Sequence, residues 1–345
     1  MSARDYERGA AILALLLCPL LIFAAENATG SGFPFPWKNG RLWGYVDGRG
    51  KWVIAPRFSS AKNFDATGLA EVSVLVKAEG AESEKNGTID SNGDWVVRPD
   101  WADIKFSKEN SLFVKKGKEW FLADRGGRLL RTEGLRDVLP FSEGMALAWN
   151  GGFFGYIDAA GKWAIRPSFD GGDNFSSGLA PAKSGSRWGY IDKRGKWFIS
   201  ARFEKAGPFA DGVARVKSEG KWGLLEKDST WILEPSHEEI DQASEGLWPV
   251  RVGKSWGFLD SRGRMAIGPR FAKASEFHSG RAREKDPATG LWGYIGPDGA
   301  WIIAPNYDKA EDFCDGLARV RSQKGDWLLL DSKGAEIAVA AFEED

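Results

Sequence analysis

The side chains able to do chemistry are few in kind. Two histidines and two cysteines in 345 residues leave little material for proton relays, nucleophile–base pairs or soft-metal sites, which draw on those residue types. Asp recurs at 47, 90, 124, 158, 192, 260 and 331, and a ladder of carboxylates raises the question of calcium. Calcium loops gather several oxygen ligands into one segment, whereas each Asp here stands alone, with Gly three residues later at 50, 93, 127, 161, 195, 263 and 334. That spacing is turn chemistry: the Asp side chain bonds nearby backbone and Gly supplies a positive φ. No metal or cofactor is expected. His278 and Cys314 fill loop positions held by Ser or Ala elsewhere, and His237 lies in a local SHEE variant. A glycan-cleaving enzyme would need two convergent carboxylates about 5 to 10 Å apart. No Asp or Glu pair stands out, so a non-catalytic protein is expected.

Basic and aromatic residues carry the binding hypotheses. Lys115, Lys183, Lys217, Arg251, Lys285 and Arg321 recur in one register, and Lys38 fits it ahead of the first complete unit. Strand alternation puts Ala214 and Val216 on one side and Arg215 with Lys217 on the other; Arg283 with Lys285 and Arg319 with Arg321 repeat the pairing. In a regular stack these side chains form a basic stripe suited to an anionic polymer or an acidic protein surface. The competing reading is a solvated strand face whose Lys discourages edge pairing. Net charge of −1 and pI near 6.3 argue against a general nucleic-acid binder. Of the 17 Trp, 13 fall in two periodic slots and read as core aromatics that hold units together. Trp37, Trp149 and Trp248 fall outside both slots and are the candidates for stacking on sugar rings or peptides, Trp149 and Trp248 foremost.

The elements that position these residues repeat. Units begin at 43, 86, 120, 154, 188, 222, 256, 292 and 327, and the steps from 120 to 256 are all 34 residues. A second aromatic follows nine positions after the first, as at Trp52, Trp95, Trp163, Trp197, Trp231 and Trp301. The segments WGYID and KWFIS are short, aromatic and β-branched, and flank an Asp-x-x-Gly turn; each unit therefore opens with a hairpin. Pro at 56, 99, 167, 235, 269 and 305 is expected to end the second strand, and a later Gly launches a third, as in GVARVK from Gly212 to Lys217. Three short strands cannot bury their own apolar face, so neighbouring units must stack. The insertion from Ala78 to Asn86 reads as a mobile loop.

WGYIDKRGKW, WGYVDGRGKW and the trailing PRF…FADGVARV resemble the WG repeat, also called the KWG repeat, of bacterial proteins. The resemblance spans 33–342 and implies β-stranded tandem repeats; the family's function is ill-defined. WG itself is lost in the units from Asn86 and Trp120. The expected fold is all-β, with about nine three-stranded repeats in an open solenoid-like array. A closed β-propeller is the alternative, set aside because propeller blades usually need four strands and about 40 residues.

Arg4 and Arg8 precede an apolar run from Ala10 to Ala25, shorter than the roughly 20 residues that span a bilayer. This reads as an export signal or signal anchor over 1–25, followed by a linker over 26–32. The expectation is an exported, monomeric binding or scaffolding protein, periplasmic or extracellular, meeting an envelope protein, anionic polymer or glycan through many weak contacts.

Overall fold

The computed structural model describes residues 32–342 except 79–80, 107–108, 110, 125–127 and 131–133; the export segment and nearly all of the linker lie outside this range. The described residues form β-strands joined by turns, with no helix.

A representative unit shows how the sequence builds a blade. Gly171–Gly172, Ala180–Ser184, Arg187–Ile191 and Trp197–Phe203 form a four-stranded antiparallel sheet in chain order. The turn between the last two is the Asp-x-x-Gly turn: Asp192 Oδ1 accepts the backbone N–H of Arg194 and Lys196, each at 2.9 Å, and Gly195 sits at φ 76°. The first two strands are joined by a two-residue hairpin. Ser177 (φ 57°) and Gly178 (φ 81°) lie between Ser176 and Leu179, which exchange backbone hydrogen bonds, the primed geometry that matches strand twist.

The Gly of each Trp-Gly pair has a specific cause. Pairing of the third and fourth strands jumps from Trp188↔Phe203 to Tyr190↔Ile199, so the fourth strand bulges where Gly189 faces it. A Cβ on Gly189 would lie 2.4 Å from the Ile199 carbonyl oxygen. Proline belongs in this bulge, where it has no ladder bond to make. Pro56, Pro167 and Pro269 therefore lie inside strands running to Phe58, Phe169 and Phe271, and do not end them as the sequence suggests.

There are eight sheets among the described residues. The first, Phe35–Asn39, Leu42–Val46 and Trp52–Phe58, has three strands. The last has six, because Trp301–Ala310 pairs with Trp292–Ile295 on one side and Ala318–Ser322 on the other and so joins two repeat units. Packing repeats with the units. Nine apolar clusters each draw on two neighbours. Tyr190, Ile199 and Phe203 of one unit, for example, meet Phe209, Ala214, Val216 and Leu225 of the next.

The ninth cluster overturns the open array. It joins Leu317 and Leu329 of the last unit to Phe35 and Val46 of the first. The contacts there reproduce those inside the stack. Gly195 packs against Ile165 of the preceding unit and Gly299 against Ile267; Gly50 packs against Ala338, which holds the equivalent position in the last unit. Phe203 meets the edge of Trp231, and Phe342 likewise meets Trp52 at 5.6 Å. Ala340 donates its N–H to Gly50 and accepts from Trp52 Nε1. The blades form a closed ring, a β-propeller. The short repeat closes because its first strand needs only two residues and follows the preceding fourth strand after one residue, as Lys205–Ala206 follows Phe203.

The described residues of the insertion are strand and not a mobile loop: Leu69–Ala78 and Ala81–Asp90 pair in register from Leu69↔Asp90 to Ala78↔Ala81, lengthening one hairpin.

Candidate binding face

At one end of the ring lie the hairpins between second and third strands, together with the corners where one unit's fourth strand enters the next unit's first. The Asp-x-x-Gly turns and two-residue hairpins lie at the other end. The periodic bases end the second strands at the first of these ends. Lys115, Lys183, Lys217, Arg251, Lys285 and Arg321 each pair directly with the aromatic near the start of the next strand of the same sheet, Trp120, Trp188, Trp222, Trp256, Trp292 and Trp327. Lys38 pairs with Trp43 in the same way.

Their surroundings depart from a solvated strand face. Ala214 and Val216 do share a side, packed on the preceding blade. The opposite side is covered by the following blade. Arg215 Nη1 donates to the Ile240 carbonyl at 2.6 Å and approaches Asp241 at 3.2 Å, while its guanidinium lies over Trp222. Arg283 bonds the Ala310 carbonyl and pairs with Asp312. Arg319 pairs with Glu311 and sits between Trp327 and Trp43, 4.8 and 4.6 Å from their ring centres. These arginines join blades, whereas the bases at strand ends stand at the rim of the face.

Those bases are not equivalent. Arg251 is held by Glu238 and Glu239 at 3.0 and 2.9 Å. Lys115 lies over Trp120 at 5.4 Å and faces Asp103 across the sheet. Lys183 and Lys217 are half-buried and Lys285 is exposed; among the described residues no carboxylate comes within ion-pairing distance of these three.

The two-residue first strands bring further bases to the same end. Lys217 faces Lys205, and Arg321 faces Lys309. Lys273 stands twelve residues before Lys285, the same sequence spacing as these two pairs, but lies in a bend and not in a strand. Nothing in the local sequence marks these partners, because a two-residue strand carries no periodicity; the clue is a base recurring twelve residues before the strand-end base.

The tryptophans sort differently. Trp248 is 1% exposed, within the cluster that includes Trp222, Ile240 and Val250, so it presents no stacking surface. Trp149 is half-buried with its ring stacked on Phe154 at 6.2 Å. Trp37 packs against the cluster at the ring's seam. The periodic tryptophans join units, as Phe58–Trp95, Phe169–Trp197 and Phe271–Trp301 show. Cys314 is a free thiol pushed up to about 11 by burial, which suppresses the thiolate.

Comparison with known proteins agrees with this architecture. The chain is similar over 80% of its length, and over 85% of the other chain, to a solved structure described as the eukaryotic initiation factor, with a TM-score of 0.55 and 10% identity; at that identity the likeness concerns the fold alone. Dihydro-heme d1 dehydrogenase NirN matches at 12% identity and a TM-score of 0.44, covering 83% of this chain and 75% of its own. Hsv2 of Kluyveromyces lactis matches at 8% and 0.41, covering 68% and 98%. No curated protein matches in sequence. The sequence profile of the WG containing repeat matches residues 43–74, 154–188, 188–222, 256–283 and 292–327. The chain thus carries at least five copies of the WG containing repeat, in agreement with the resemblance read from its sequence.

Proposed function

We propose that this protein is a non-catalytic binding scaffold of the bacterial cell envelope, which meets an anionic partner through the end of the ring where the strand-end bases emerge. The observation that carries the reading is the division of labour among repeated side chains. Periodic Trp, Phe, Tyr and Asp are committed to packing and turns, while the strand-end base is the repeated group left facing outward at one end. Placed at one level around a ring, such bases give a multivalent surface in which weak contacts add. Carbohydrate recognition through off-register tryptophans is disfavoured by the burial of Trp248. Export follows from the N-terminal apolar run.

The test uses the tagged chain from residue 31 to 345, crosslinked in its own cell envelope and recovered at low and high salt. Recovery of partner material that falls with salt, and falls at least fivefold in K183E/K217E/K285E, is the expected outcome. Arg251 is left intact because it holds Glu238 and Glu239. Equal recovery by wild type and variant, or salt-resistant recovery of a neutral glycan, would overturn the reading.

A further inference from the structure

Ring closure places bases from both ends of the chain side by side. Lys285, Lys309 and Arg321 belong to the two units joined in the six-stranded sheet, and Lys273 precedes that sheet at the spacing that separates Lys309 from Arg321. Lys38 of the first unit comes next across the seam, where Arg319 stacks between Trp327 and Trp43 while Lys38 lies 5.6 Å from the centre of that same Trp43 ring. Lys38 and Arg321 are 283 residues apart in sequence, and only closure makes them neighbours.

This arc is the longest run of bases on the face without a carboxylate partner; Lys183 with the Lys205–Lys217 pair forms a shorter one. In the blades before it, Asp103 faces Lys115, Asp137 faces Trp149 and Glu239 faces Arg251. Within it no carboxylate comes within ion-pairing distance of Lys38, Lys273, Lys285, Lys309 or Arg321 among the described residues. Asp286, the carboxylate next to Lys285, is turned onto the Thr289 hydroxyl at 2.8 Å. Lys309 and Arg321 are direct cross-strand partners, and like charges in that position are destabilising unless something compensates them. Arg321 spends Nε on the Gly325 carbonyl at 3.1 Å, leaving its terminal nitrogens for a ligand. A lysine and a guanidinium converging from opposed residues suit a doubly charged tetrahedral oxyanion better than a single carboxylate, since both cations can bond different oxygens of one group.

We propose that the arc Lys273, Lys285, Lys309, Arg321 and Lys38 is the docking site for a linear phosphate-bearing polymer, one phosphoryl group seated between Lys309 and Arg321 and its neighbours along the chain meeting Lys285 and Lys38. The inference rests on the scaffold reading and narrows it to one sector and one chemistry.

The experiment titrates labelled long-chain inorganic polyphosphate into the soluble chain 31–345 by fluorescence anisotropy at two salt concentrations, with polyglutamate as the carboxylate competitor. Wild type is expected to bind with salt-dependent affinity, K285E/K309E/R321E to lose at least tenfold, and K51E/K162E/K196E, at the opposite end of the ring, to bind like wild type. Circular dichroism checks the fold. Should the reversed variant fail to fold, K285Q/K309Q/R321Q replaces it, with a loss of at least threefold expected. If polyphosphate binding survives the arc substitutions but falls with salt and in K115E/K183E, the scaffold reading stands and the arc is wrong. Polyglutamate outcompeting polyphosphate overturns the phosphate assignment alone. Absence of binding to either polymer overturns the inference, and failure of the envelope recovery experiment is then needed to overturn the scaffold reading too.

Discussion

Glu284 shows how one side chain can depart from a repeat and leave the fold standing. It is 1% exposed, in a slot held by Ala182, Val216, Val250 and Val320 in other units. Its Oε1 accepts the Ser275 backbone N–H at 2.8 Å. Burial pushes its carboxyl up to about 8, against that hydrogen bond and the nearby Arg283 and Arg270. The folded chain therefore holds a proton that the unfolded chain gives up near pH 4.5, so this group's contribution to stability is complete below that pH and is lost as pH rises towards 8. Glu284→Gln keeps an acceptor for Ser275 and removes the titration. Melting temperatures from pH 4.5 to 8 should show wild type declining more steeply than the variant, with the gap widening towards pH 8. Parallel curves would mean that Glu284 is already ionised in the folded protein at neutral pH.

At the scale of the strand, the bulge in each fourth strand explains why tryptophan is so often followed by glycine. A methyl group on Gly189 would lie 2.4 Å from the Ile199 carbonyl and 2.7 Å from the Ala201 nitrogen, both backbone atoms that cannot swing aside. Gly189→Ala should cost about 1 to 3 kcal/mol, the range for overpacking, whereas Gly268→Ala, with nothing within 4 Å, should be near neutral; urea midpoints compare the two. This element also marks where the sequence stops being legible. Strand-forming runs, Asp-x-x-Gly turns and aromatic slots announce themselves because each carries a local chemical requirement. Pro56 is misread as a terminator because a bulge tolerates proline as well as a strand end does. Two-residue strands such as Lys205–Ala206 carry no pattern, and without them a 34-residue unit looks too short for a blade. The basic register is legible, but its compensation by Glu239 or Asp103, and its lack of compensation near Lys309, depend on what those hidden strands place opposite. Trp248 is off-register in sequence yet buried, because the second strand is covered on both faces by neighbouring blades.

At the scale of the molecule, closure replaces an entropic liability with one more copy of a contact already used throughout the ring. An open stack leaves its first unit with an uncovered face, and Trp52 would lie on it. In the ring Trp52 receives Phe342 edge-on and donates to Ala340, as Trp231 receives Phe203. The two architectures therefore differ in what one substitution costs. Trp231→Ala removes an interior contact under either and should lose about 3 kcal/mol or more. Trp52→Ala should lose a similar amount if the seam is closed, and less than about 1 kcal/mol if the first unit is a free end, the range for surface positions. Phe342→Ala probes the same contact from the other side, and a double-mutant cycle between Trp52 and Phe342 isolates their coupling. A coupling of about 0.5 to 1.5 kcal/mol is expected for an aromatic edge contact. Zero coupling together with a harmless Trp52→Ala would open the ring, and would separate Lys38 from Arg321 with it.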